Sequence, residues 1–162
     1  MNKRGFIGDV LTILVGVFTL SIVVLVMVLV VKTFNDDFQA MPDAPAEAKA
    51  ISDAAATTYP GSMDFFVVSA MFGLPIVSAA LVFFLDVSAM FIWIIVIISF
   101  LYVLVAAALA IGWDAIINSA ALSGVVATMP MTTQIMNNYA LYALYAVIVI
   151  VAGMFFRMRY AA

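Results

Sequence analysis

Four long apolar runs, separated by short polar intervals, dominate the pattern along this chain. Val10–Val31 is uncharged and closes at Lys32, while Phe65–Leu85 lies between Asp64 and Asp86. Val87–Trp113 lies between Asp86 and Asp114, and Tyr139–Phe156 stops at Arg157 and Arg159. A helix needs about 20 apolar residues to cross the hydrocarbon core, and a charge inside that core is costly, so charges collect at span ends. The pattern predicts an all-α, polytopic membrane protein made of one membrane domain, 1–162. Its spans are expected at about 10–31, 65–85, 87–113 and 139–156, with loops at 32–64 and 114–138 and no Asp, Glu, Lys or Arg inside any span.

The intervals carry signals of their own. In the first, Asp43 suits an N-cap, Pro45 a first helical turn, and Lys49 and Asp53 stand four apart in the Ala-rich stretch Ala46–Thr57. A short surface helix is predicted there, ended by the turn signal Tyr59-Pro60-Gly61. Leu85-Asp86-Val87-Ser88 leaves room only for a tight helical hairpin, with Asp86 as a cap of the third span. The 114–138 interval mixes Ile116-Ile117, Leu122 and Val125-Val126 with Asn118, Ser119 and Ser123. It is too polar to span and too apolar to float free. A semi-apolar interfacial segment, broken near Met129-Pro130, is expected before the last span.

Composition supports the same class. The chain is 68% hydrophobic and only 9% charged, with a mean hydropathy of +1.28, whereas soluble domains carry about a quarter charged residues. Four of its six cations, Lys3, Arg4, Arg157 and Arg159, flank the outer ends of the first and last spans. By the bias of Lys and Arg toward the cytoplasmic side, both termini are expected in the cytoplasm, where these four would serve as interface contacts. The 33–64 loop, with Asp36, Asp37, Asp43, Glu47 and Asp53, then lies opposite.

Small residues let helices approach closely in lipid. Ser69 and Gly73 form one such pair and Ala106 and Ala110 another, while Pro75 should kink the second span. Tyr139, Tyr142, Tyr145, Trp113 and Tyr160 read as an interfacial aromatic belt.

Candidate chemistry is sparse. There is no cysteine or histidine, which removes disulfides, thiolate nucleophiles, imidazole shuttles and the usual zinc sites. No Gly-rich phosphate loop, metal-ligand cluster or cofactor fingerprint appears, so no cofactor and no enzymatic activity are expected. No basic patch large enough for nucleic acid is present.

The order of elements carries a resemblance. A basic start into Gly5-Phe6-Ile7-Gly8-Asp9, a long first span, an Asp-rich loop with an Ala-rich helix, a tight hairpin, a semi-apolar loop and a Tyr-rich last span follow one another. From about Arg4 to Phe156 this resembles the small four-span membrane proteins of tailless icosahedral viruses, which carry a membrane beneath a double-jelly-roll capsid. The resemblance implies a structural protein of the virion membrane, self-associating in many copies among lipids and touching capsid proteins. An accessory subunit of a cellular membrane complex is the alternative, and a holin-like pore former another. The Lys3-Arg4-Gly5-Phe6 start also looks a little like a type IV pilin precursor, but that family places its acid at the fifth residue after the cleaved glycine, and Asp9 is the fourth.

Overall fold

The computed structural model describes residues 5–82 and 89–160, and every regular element among them is a helix. Four are long: α1 Gly5–Ala40, α2 Ala46–Val82, α3 Ala89–Ile117 and, after two short ones, α6 Tyr139–Tyr160. The short pair, α4 Ser123–Val126 and α5 Pro130–Asn137, fills the interval before the last span and breaks at Met129-Pro130 as expected. All four long helices are long and apolar enough to cross a membrane. The protein is an integral membrane protein with four transmembrane helices.

α1 and α2 exceed what a bilayer requires. With 36 and 37 residues, each is about 54 Å long at 1.5 Å per residue, against a hydrocarbon core of about 30 Å. The helix predicted at Ala46–Thr57 is present, but it runs unbroken into the second span through Tyr59-Pro60-Gly61. That turn signal is overridden because Pro60 is buried in the bundle and no described residue adopts a positive φ. What separates α1 from α2 is therefore a five-residue link, 41–45.

That link is drawn tight by side chains. Gln39 Nε2 donates to the Lys49 carbonyl at 2.8 Å, and Lys49 Nζ donates to the Gln39 carbonyl at 2.8 Å. The buried Asn35 accepts from Ser52 Oγ at 2.8 Å through its Oδ1. These pairs set α1 antiparallel to α2. Continuing their register at equal rise per residue brings Asp64 alongside Val23 and Val24 of α1.

The buried positions of α1, Leu14, Val17, Ser21, Val24, Val28 and Asn35, repeat near every 3.5 residues, the spacing of one continuous helix face. α1 packs on α2, α2 on α6, and α6 on α3, while α5 wedges against α2, α3 and α6. α2 and α6 run parallel, so the N-terminal end of α1 and the C-terminal end of α6 share one end of the bundle. The core gathers Leu25, Val67, Met71, Ala106, Trp113, Met129, Met136, Tyr139, Ile150 and Met154.

Candidate functional site: a capped short helix and a tyrosine pair inside the bundle

The densest polar chemistry inside the bundle lies where α5 and the start of α6 meet α1 and α2. α5 has only eight residues, too few to hold its shape alone in water, and its first amides need acceptors. Asp64 of α2 supplies them. Its carboxylate accepts from the amide of Thr132 at 2.7 Å and from that of Met131 at 3.0 Å, across 67 positions of sequence. Asp64 is 1% exposed. Expected at the end of the second span, Asp64 sits within the packed bundle, tolerated because two N–H donors and the N-terminal helix dipole meet its charge.

A tyrosine pair follows. Tyr139 and Tyr142 stack with centroids 5.2 Å apart and are 0% and 5% exposed. Tyr139 donates its hydroxyl to the Leu14 carbonyl, and Tyr142 donates to the Met71 carbonyl at 2.8 Å. Pro75 gives the second bond its meaning. Proline has no N–H, so the carbonyl four residues earlier, that of Met71, loses its helical donor. In lipid an orphaned carbonyl has no water to turn to, and the Tyr142 hydroxyl takes the missing donor's place. The interfacial-belt reading is thereby corrected for these two residues, as it is for Trp113, which is fully buried. Periodicity could not reveal which side of the helix faced protein. Tyr145 is partly buried, edge-on to Phe72, and the side chain of Tyr160 lies outside the described set.

The small-residue pairs divide. Ala106 is fully buried and Ala110 packs against the core. Ser69 is exposed, and a Cβ at Gly73 would meet nothing within 4 Å, so these two do not mediate a close approach within the chain. The tight crossing lies elsewhere: a Cβ on Gly153 of α6 would stand 3.0 Å from the Ala79 carbonyl oxygen and 3.1 Å from the Ala79 Cβ. Gly153 is legible in the sequence only as a glycine in an apolar run; its partner Ala79, on another helix, is not. Pro75 is buried within a continuous α2.

Among the terminal cations, Arg159 is exposed and Arg157 is partly buried. The Arg157 Nε is enclosed with no hydrogen-bond partner among the described residues. Lys3 and Arg4, and the Asp86 hairpin, lie outside the described residues. Lys32 reaches the Gly124 carbonyl of α4 at 3.4 Å. Among the described residues no three His, Cys, Asp or Glu side chains gather as metal ligands. Compared with known families, curated proteins and solved structures, the chain matches none of them.

Proposed function

We propose that this is a structural, non-enzymatic protein of a virion's internal membrane, packed in many copies to shape the bilayer and link it to the capsid. The observation that carries the reading is how the interior polar groups are used. Asp64 caps α5, Tyr139 and Tyr142 serve backbone carbonyls, and Ser21 donates to its own helix at the Val17 carbonyl. Each of these is paired with a backbone group, whereas a transporter or a pore requires polar groups turned toward a wet path. The chemistry of the interior is spent on holding the shape.

The exterior favours lateral packing in lipid. Val23, Val30, Phe66, Ile97, Phe100 and Leu104 are all exposed apolar side chains, drawn from three of the long helices. Both termini lie on the cytoplasmic side at insertion, by the cation bias of their flanks. If the bilayer pinches inward from the host membrane, that end faces the shell and the end bearing Asp36, Asp37, Asp43, Glu47 and Asp53 faces the lumen. Partners are then lipids, further copies and capsid proteins, with no direct nucleic-acid contact.

Mass spectrometry of the native particle or complex, with copy numbers, tests this. Many copies beside a capsid protein and lipid are expected. One or two copies beside respiratory, transport or secretion subunits would overturn the proposal and make the chain an accessory subunit.

A further inference from the structure

α3 and α6 leave a groove between them that opens outward. Its walls are Phe100 and Val103 from α3, and Leu144, Ile148, Ala152 and Phe155 from α6; its volume is about 530 Å³. Ala152 and Phe155 also line a second hollow of about 630 Å³, which ends at Arg159. The two adjoin at Ala152 and Phe155. Leu144, Ile148, Ala152, Phe155 and Arg159 recur every three or four residues, so they share one face of α6. No carboxylate lines either hollow among the described residues.

The dimensions match a lipid. From Leu144 to Phe155 is 11 positions, about 16 Å of helix, close to one leaflet of a hydrocarbon core about 30 Å thick. Arg159 stands one further turn along, where a headgroup would lie. Guanidinium groups bind phosphate through paired N–H donors. We infer that this groove is a binding site for an anionic phospholipid, one acyl chain lying along Leu144–Phe155 and the phosphate meeting Arg159. The apolar walls alone would accept any chain, and the arginine at one end selects the charge.

The test uses the full chain reconstituted in phosphatidylcholine vesicles containing spin-labelled phosphatidylglycerol or spin-labelled phosphatidylcholine. The fraction of motionally restricted label reports lipid held at the protein. The wild type is expected to prefer the phosphatidylglycerol label several-fold. Arg159→Gln and Ala152→Phe should each lower that preference toward one, the first by removing the charge and the second by filling the groove. Should Ala152→Phe fail to fold, Val103→Phe fills the groove from the α3 wall. A preference that falls with Arg159→Gln but ignores both groove-filling variants would mean surface attraction alone and overturn the site. No preference in the wild type would overturn it as well.

Discussion

Pro75, Met71 and Tyr142 form a unit whose energetics can be worked out in advance. Removing the Tyr142 hydroxyl leaves the Met71 carbonyl without the side-chain donor that replaces the absent Pro75 amide. A buried polar group left unpaired costs about 1–3 kcal/mol, while side-chain hydrogen bonds between membrane helices average about 0.6 kcal/mol and reach about 1.7. Tyr142→Phe is therefore expected near the top of that membrane range, at about 1.5–1.7 kcal/mol. Tyr139→Phe serves as the control. Its acceptor, Leu14, lies inside a proline-free stretch of α1, so its carbonyl keeps a helical donor and the cost should be about 0.6 kcal/mol. The decisive variant is Pro75→Ala, which restores an N–H facing Met71. In that background Tyr142→Phe should cost only about 0.5 kcal/mol, a coupling of at least 1 kcal/mol in a double-mutant cycle. Equilibrium unfolding in mixed micelles, followed by tryptophan fluorescence with Trp113 as a buried reporter, gives all the required differences. Equal costs for the two tyrosines, or no coupling to Pro75, would refute the reasoning.

Three further outcomes can be checked the same way. Asp64→Ala strips the acceptor from two amides and should destabilise by about 3 kcal/mol, whereas Asp64→Asn keeps one acceptor and should cost about half as much; hydrogen exchange should rise first in 128–138. Gly153→Ala forces a Cβ against the Ala79 backbone and should cost about 1–3 kcal/mol, whereas Gly73→Ala enters open space and should be neutral or stabilising by up to about 1 kcal/mol; thermal unfolding in detergent separates them. Because the chain has no native cysteine, Ala79→Cys with Gly153→Cys should oxidise to a single intramolecular crosslink, visible as a gel shift, once a small outward shift widens their 3.1 Å Cβ separation toward the about 3.5–4.5 Å of disulfides. Absence of that crosslink would rule out the α2–α6 pairing.

The membrane class and the number of spans could be read from the sequence because hydropathy acts locally, residue by residue. The break at Met129-Pro130 was also legible, since proline has a local effect wherever it falls. Pro60 shows the limit of such reasoning: Tyr59-Pro60-Gly61 has every local mark of a turn, yet packing keeps α2 helical through it. Asp64 was read as a boundary for the same reason. Its justification is a pair of amides 67 and 68 positions away, and no window of sequence contains both ends of that contact. The tyrosines were assigned to the membrane surface because aromatic side chains at a span end usually sit there. Only the position of Leu14 and Met71 across the bundle reveals that their hydroxyls point inward.

The Asp64 cap also bears on how the molecule is made. The α1–α2 hairpin leaves the ribosome before α5 exists, so until then Asp64, opposite the apolar run of α1 in the helix register, has neither of its two amide partners. An acidic side chain without partners costs about 2.5–3.5 kcal/mol where it lies at full membrane depth. The first half of the protein is thus left in debt until the second half supplies the amides of Met131 and Thr132. That imbalance gives assembly a direction, because docking of the later helices relieves a strain already present in the earlier ones. A chain that stalls after α2 would carry a carboxylate without the amides that meet it, so a half-built bundle differs from a finished one at this residue.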